Sequence, residues 1–443
     1  MNLQTSLRYI LRGGLLACLL SSTLFAGEPA VAPPSPAEPA ARLESLKIEV
    51  AQLEQAMHAA DGEAAGRISA PAAEASAGSV PAGAPSLSAP PTPAAPQAEL
   101  SPTLSFLNRV NISGSIDGYQ QYNANQPEDR IAGLRAFTGP SNQLSLNLAQ
   151  LAFTMAPTSD NRAGFALSFA FGEAINVVNG SEPVAGPDFA QHLKEAYLSY
   201  LVTDKLQLDF GKWVTPIGAE VIESGGNWNY SRGLLFTWAI PFYHYGLRAN
   251  YAINDKTWVT LHLANGWNNI VENNSGKSFA IQAGFSPTEN ISIVQNYMVG
   301  PELFDDDSLR HVFDTIVTYD YNEKISFLFN YDYGMEEGLL PTDPDSQWQG
   351  VAGYVRYALN DKVAATSRME WFQDDDAWST GVAQQVKEFT QTFEYKLADG
   401  LLSRFEFRRD WSTEPFFSKG STRFVQNQTT FLIGLIYSFD TGE

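Results

Sequence analysis

The chain has 443 residues, 44% hydrophobic and 12% aromatic, with a formal net charge of −21 and a pI near 4.6. That acidity argues against nucleic acid as a partner, because phosphate binding needs a basic stripe. It leaves either plain solubilising charge or acidic loops that hold divalent cations or bias a pore toward cations. A mean hydropathy of −0.18 excludes a bundle of membrane helices.

Residues 1–26 carry Arg8 and Arg12, an apolar run from Gly13 to Phe25, and Leu-Phe-Ala before Gly27. This is a secretory signal with expected cleavage after Ala26. Leu15-Leu16-Ala17-Cys18 resembles a lipoprotein box, but the apolar run before Cys18 is short, so cleavage after Ala26 is the favoured reading. Cys18 is the single cysteine, which denies the rest of the chain a disulfide, a thiolate nucleophile or a cysteine-ligated metal. Within 27–60, Leu43, Leu46, Val50, Leu53 and Met57 fall at a/d spacing. They predict a short heptad-bearing helix, either self-associating as a coiled coil into a homo-oligomer or lying alone as an amphipathic helix. Residues 61–102 are rich in Ala, Pro and Ser, a composition that forms an extended linker rather than a core.

From residue 103 to 443 the periodicity is two. In Lys194–Trp213, Ala196, Leu198, Tyr200 and Val202 alternate with Glu195, Tyr197, Ser199 and Leu201, and Leu206, Leu208 and Phe210 follow after a polar break. Successive strand side chains point to opposite faces, so each arm has one apolar and one mostly polar face. The unit recurs about eight times, and no helix is left to cover the apolar faces. Such a sheet must close on itself with lipid as its apolar partner. About sixteen strands are expected, from Val110–Tyr122 to Asn427–Phe439. The predicted fold is therefore an all-β, closed antiparallel transmembrane barrel.

Every second connection is short, as in Asn254-Asp255-Lys256, Asn322-Glu323-Lys324 and Asn360-Asp361-Lys362, whereas those between are long and hydrophilic. Short periplasmic turns alternating with long outer loops place the protein in an outer membrane, with the N-terminal arm and the C-terminus in the periplasm. Tyr200, Trp213, Tyr251, Trp258, Trp267, Tyr319, Tyr333, Tyr357, Trp371, Tyr395 and Trp411 lie near strand ends, where interfacial girdles are expected.

At about sixteen strands, side chains no longer fill the bore. Expected lumen charges are Asp117, Glu195, Asp209, Asp314, Asp332, Glu370, Glu394 and Glu406, with Arg248, Arg356, Arg368, Arg404 and Arg408. An Arg on the lipid face at mid-depth costs roughly 2–4 kcal/mol, hence the inward placement. These charges either pair across strands to hold the wall or set a field that sorts solutes.

The third outer loop, about Val214 to Pro241, contains Leu234, Leu235, Phe236, Trp238 and Ile240, which are too apolar for solvent. It is expected to fold into the barrel and narrow the pore, with Glu220, Glu223, Asn227, Asn229 and Arg232 at the constriction. The alternative is a contact between copies. Asp305, Asp306 and Asp307, and Asp374, Asp375 and Asp376, lie in two other outer loops as candidate divalent-cation runs, but without the ligand spacing of a dedicated calcium loop. No catalytic motif appears. His192, His244, His262 and His311 are scattered, and no Gly-x-Ser-x-Gly elbow or His-x-x-x-His pair is present. No cofactor and no enzymatic activity are expected.

EAYLSY, FGKWVTPIGAE (Phe210–Glu220), NWNYSRGLLF (Asn227–Phe236), PFYHYGLR (Pro241–Arg248) and ANGWNN (Ala264–Asn269) resemble the OmpL-like β-barrel porin-2 family. The resemblance implies an outer-membrane porin passing small hydrophilic solutes or ions, whose substrate is generally unassigned. GKWVTPIGAE is also similar to phosphate-selective porins, but the chain is acidic and has no lysine cluster, so phosphate selectivity is not carried across. Barrels of this kind often end on Phe, whereas here Phe439 is followed by Asp-Thr-Gly-Glu. The other reading is a structural or adhesive barrel, closed by its third loop, that tethers envelope layers through the N-terminal helix and linker.

Overall fold

The computed structural model describes residues 109–180, 188–338 and 344–442, together with Phe106. The expected signal, heptad helix and linker, and Cys18, lie outside the described residues.

The strands follow in chain order: β1 (Asn111–Asn123), β2 (Gln143–Met155), β3 (Ala163–Phe171), β4 (Leu193–Thr203), β5 (Leu206–Val214) and β6 (Tyr243–Asn254). Next come β7 (Thr257–Ala264), β8 (Ser278–Thr288), β9 (Ile291–Pro301), β10 (Leu309–Asp320), β11 (Ile325–Glu336) and β12 (Ser346–Asn360). The series ends with β13 (Val363–Asp374), β14 (Gln384–Ala398), β15 (Leu401–Ser412), β16 (Phe417–Lys419), β17 (Arg423–Val425) and β18 (Asn427–Asp440). β16 and β17 form a separate small hairpin, and the other sixteen close a barrel in which β1 pairs with both β2 and β18. Closure leaves no strand edge unpaired, which is the condition for carrying a sheet through hydrocarbon.

The period-two pattern sets the two faces. On β18, Ile433 and Leu435 are exposed on the outer wall while Leu432 and Ile436 are buried inside. On β3, Phe169 and Phe171 face out and Ala166, Ser168 and Ala170 face in. At one rim the turns are short and repeat one device. The side chains of Asn254, Asn322 and Asn360 each accept the backbone N–H two residues on, at 2.9 Å, which fixes the reversal locally. Where β5 meets β6, Gly211 (φ +139°) lies opposite Gly246. A Cβ on Gly211 would come within 2.1 Å of the Ala196 carbonyl oxygen, and one on Gly246 within 2.0 Å of that of Leu263.

Most girdle aromatics lie on the outer wall, Tyr200, Tyr251, Tyr319, Tyr357 and Tyr395 toward the short-turn rim and Trp411 toward the other. Three expectations are corrected. Trp213 is fully buried on the inner face beside His244 and His262. Trp258 pairs with Gly284 on the inward parity, at the short-turn mouth. Trp267 lies in the loop after β7 and meets Trp348 edge-on, with Arg310 over its ring. A glycine or a bend opposite a large ring makes room for it inside, and position along a strand does not reveal that room.

At the other rim the loops turn inward. Those after β1, β3, β5 and β15 contribute Leu134, Phe137, Ile175, Leu235, Phe236, Phe242 and Phe417 to one buried apolar cluster. α1 (Glu173–Gly180) supplies Ile175 and Val178, and α2 (Leu234–Trp238) supplies Leu234, Leu235 and Phe236. The long-loop half of the barrel thus has a protein core inside it, while the lipid-facing wall has none.

Candidate functional site

The loop between β5 and β6, hereafter L3, runs inside the barrel. An irregular segment taken out of water leaves its backbone N–H and C=O groups to be satisfied by something else. The inner wall supplies the partners, and β15 supplies more of them than any other strand. Its inward face reads Arg404, Glu406, Arg408, Asp410, all buried. Arg404 donates to the carbonyls of Ser224, Asn227 and Asn229, the last two at 2.6 and 3.0 Å. Glu406 accepts the N–H of Tyr230 at 2.8 Å and of Ser231 at 3.3 Å. Arg408 donates to the Arg232 carbonyl at 2.7 Å, and Asp410 holds Arg135, from the loop after β1, at 2.7 Å. Alternating sign along one strand face therefore reads alternating donors and acceptors on a buried backbone.

The remaining walls continue the pattern. Asp314 of β10 accepts the Gly218 N–H at 3.0 Å, and Asn330 of β11 accepts that of Ala219 at 3.2 Å. On β13, Glu370 accepts the N–H groups of Leu234 (2.6 Å) and Leu235 (3.4 Å), the unpaired donors that open α2. Across the bore, Tyr230 donates to Asp117 of β1, and Ser224 does so as well, at 2.5 Å. Asn147 of β2 reaches the Ser224 hydroxyl at 3.0 Å, and Lys194 of β4 pairs with Glu223. Burial works to raise the Glu223 carboxyl, but the Lys194 ammonium outweighs it and holds the group below its ordinary value.

Each expected constriction residue can be placed. Glu220 accepts from Arg368 at 2.7 Å and from the Gly233 N–H at 2.6 Å. Asn227 closes a turn within L3 by bonding both the N–H and the carbonyl of Val221, at 2.9 and 2.8 Å. Asn229 donates to Thr392 of β14 at 2.7 Å. Arg232 donates to Ser224 Oγ (2.7 Å) and to the Ile222 and Tyr230 carbonyls (2.6 Å each). Four of the five are buried, and Glu223 is half-buried. Most of their polar atoms shape the loop or fasten it to the wall, while Asn229 Oδ1 and Arg232 Nε are buried without a hydrogen-bond partner.

The wall arginines each pair with a carboxylate. Arg248 meets Asp209 at 2.9 Å, Arg356 meets Glu394 at 3.0 Å, Arg404 meets Glu394 at 2.7 Å and Arg368 meets Glu388 at 2.7 Å. Glu388, Asp410, Tyr230 and Ser224 were not singled out from the sequence. The signal for the first two was present in the period-two charges of β14 and β15. For Tyr230 and Ser224 nothing local marks a partner on β1.

The acidic runs act as turn elements. Asp374, fully buried at the end of β13, accepts the N–H groups of Trp378, Ser379 and Thr380 at 2.9, 3.1 and 2.6 Å. Asp306 accepts the Ser308 N–H at 2.7 Å, and Asp307 accepts from Ser275 at 3.0 Å. Asp375 accepts from Gln373, and Asp376 accepts the Gln347 N–H at 2.9 Å. Asp305 stands in a left-handed conformation (φ 52°) and donates its N–H to the Asn273 carbonyl at 3.1 Å. Among the described residues no group of three or more His, Cys, Asp or Glu side chains is placed to hold a metal ion.

The barrel fold is also found in solved outer-membrane proteins. The chain is similar to OmpT, an outer membrane protein of Vibrio cholerae, with 12% identity and a TM-score of 0.51 over 74% of this chain and 97% of that one. It is likewise similar to an anion-selective porin from Comamonas acidovorans, with 9% identity and a TM-score of 0.53 over 74% and 99% of the two chains. At such identities the likeness shows the fold alone. No curated protein matches the sequence. Residues 109–439 match the family described as "Putative beta-barrel porin-2, OmpL-like". The chain belongs to that family of outer-membrane porins, the one whose motifs lie across β4 to β7 and L3.

Proposed function

We propose that the protein is a diffusion channel for small hydrophilic solutes or ions, with L3 setting the width of its bore. The observation that carries this reading is that L3 is held from opposite walls at once. Gly218 is fixed to β10, and Tyr230 and Ser224 are fixed to β1. A loop spanning the lumen governs what passes beside it. Glu220, Glu223, Asn227, Asn229 and Arg232 stand at the narrowest level in this reading. The short-turn rim faces the periplasm and the long loops face outward.

A barrel kept shut, serving to tether the envelope, is the second reading. It is favoured by the apolar cluster in which Phe236 and Phe242 of L3 pack with Phe137 and Phe417 from two other loops. Planar-bilayer recording of the purified full chain separates the two. Discrete conductance steps support the channel, and silence from correctly folded protein supports the closed barrel. The reversal potential in a salt gradient then gives the ion preference.

A further inference from the structure

The lipid-facing wall carries almost no formal charge, and two exceptions lie side by side. Arg404, Glu406, Arg408 and Asp410 face inward, so Arg409 faces out, and the same alternation turns Lys387 of β14 outward between buried Val386 and Glu388. The inward arginines Arg248, Arg356, Arg368, Arg404 and Arg408 each hold a carboxylate. Arg409 has none. It reaches only Thr429 Oγ1 at 3.5 Å and Asn427 Oδ1 at 3.4 Å, and it lies 5.4 Å from the Trp411 ring. Lys387 makes no hydrogen bond or ion pair among the described residues.

The surroundings fit one kind of ligand. In register, Trp371, Lys387 and Trp411 form a row across β13, β14 and β15, and Met369, Phe389 and Arg409 form the adjoining row. Lys387 is three residues from the long-loop end of β14. With strands tilted by about 40°, that places it roughly 7–8 Å below the rim, at the headgroup–acyl boundary where tryptophan rings settle. A groove of about 580 Å³ runs from Lys387 between Trp371 and Trp411 to Gly353, bordered by Phe329 and Met369. Nothing lies within 4 Å of where a Cβ of Gly353 would stand, and Met369 is 65% exposed. The groove is therefore an open apolar slot with Lys387 on its lining, and Arg409 stands just outside it, two residues from Trp411 on β15.

We propose that this slot binds a phosphorylated lipid of the surrounding leaflet. The phosphate sits on Lys387 and Arg409 beside the two tryptophans, and one acyl chain lies in the notch over Gly353. A phosphomonoester carries about −1.5 to −2 charge at neutral pH, which matches two cations lacking a protein counter-ion. The proposal rests on the membrane-spanning reading but not on conductance.

The test uses the full chain in neutral detergent, with bound lipid counted by native mass spectrometry during titration. The probes are short-chain phosphatidic acid, phosphatidylcholine with the same chains, and inorganic phosphate. Phosphatidic acid should bind about tenfold tighter than phosphatidylcholine, and Lys387→Gln with Arg409→Gln should remove that preference. Gly353→Leu should weaken both lipids while leaving the headgroup preference intact, and inorganic phosphate should not displace the lipid. Heat-modifiable migration in gels shows that each variant barrel is folded. The proposal is overturned if headgroup makes no difference, if the double variant binds as wild type does, or if phosphate alone competes. It is equally overturned if the double variant splits an oligomer without losing lipid, which would make the groove a contact between copies. Lipid binding by a barrel that never conducts would sink the channel reading and leave this one standing.

Discussion

Arg368 of β13 donates to Glu220 of L3 at 2.7 Å, and both side chains are shut away from solvent. Arg368 also holds Glu388 at 2.7 Å and the Ser231 carbonyl at 2.7 Å. One guanidinium thus ties wall to wall and wall to loop. Removing a single partner of such a buried pair strands a charge, at a cost of about 3–5 kcal/mol. Arg368→Met should lower unfolding stability by that order, and Glu220→Gln by less, because Arg368 keeps Glu388 and the amide oxygen still accepts from one of the two donors, Arg368 or the Gly233 N–H. Urea titration of detergent-solubilised protein reads the difference, and equal losses would deny the pair its role.

Arg404→Met leaves three L3 carbonyls without their donor. A hydrogen bond to a charged group contributes about 1.5–3 kcal/mol net, enough to free the segment around Asn227 while sixteen paired strands hold the wall. Faster hydrogen exchange at 222–232, with strand protection unchanged, is the expected outcome. Unchanged protection in that segment would show that Arg404 is incidental to the loop.

Gly211→Ala meets two obstacles, a left-handed backbone (φ +139°) and a carbonyl oxygen 2.1 Å from the new methyl. Each obstacle alone opposes the substitution, and the backbone effect exceeds about 1 kcal/mol. The yield of heat-modifiable, folded barrel should fall sharply. Gly353→Ala, which points into open space, should assemble as wild type does and serves as the control.

Glu302, in the loop after β9, is buried against the Trp267 N–H (2.6 Å) and the Ser278 hydroxyl (2.5 Å). Burial pushes its carboxyl up to about 7, although Arg310 pulls against it. A carboxyl raised in the folded state is protonated there before it is protonated in the unfolded chain. The folded state therefore binds more protons between about pH 4.5 and 7, and stability falls as pH rises through that window. Thermal unfolding should be highest near pH 5 and lower at pH 8, by up to about 3 kcal/mol from this group. Glu302→Gln should flatten that part of the profile.

Much of the barrel is legible because its physics is local. The alternation in Ala163–Phe171 and Asn427–Asp440 assigns faces residue by residue, and the Asn-led turns mark one rim. The inward placement of Arg368 and Arg404 follows from the cost of charge in lipid. Pairing at long range is not legible. Arg404 and the Ser224 carbonyl it holds are 180 positions apart, and nothing in Arg404-Phe405-Glu406-Phe407-Arg408 names its partner. The apolar stretch of L3 signals infolding, yet Leu134, Ile175 and Phe417 from three other loops join it through shape alone. Trp213, Trp258 and Trp267 show the same limit. A ring near a strand end suits lipid by chemistry, and only the size of its neighbours decides otherwise.

The central claim is that L3 governs passage through the barrel. Single-channel recording of the full chain beside a variant lacking Glu220–Trp238 tests it most directly, with strand content and heat-modifiable migration confirming that both are folded. Removal of the loop should raise unit conductance several-fold and broaden the size of solute admitted. Identical conductance from two folded barrels would contradict the account.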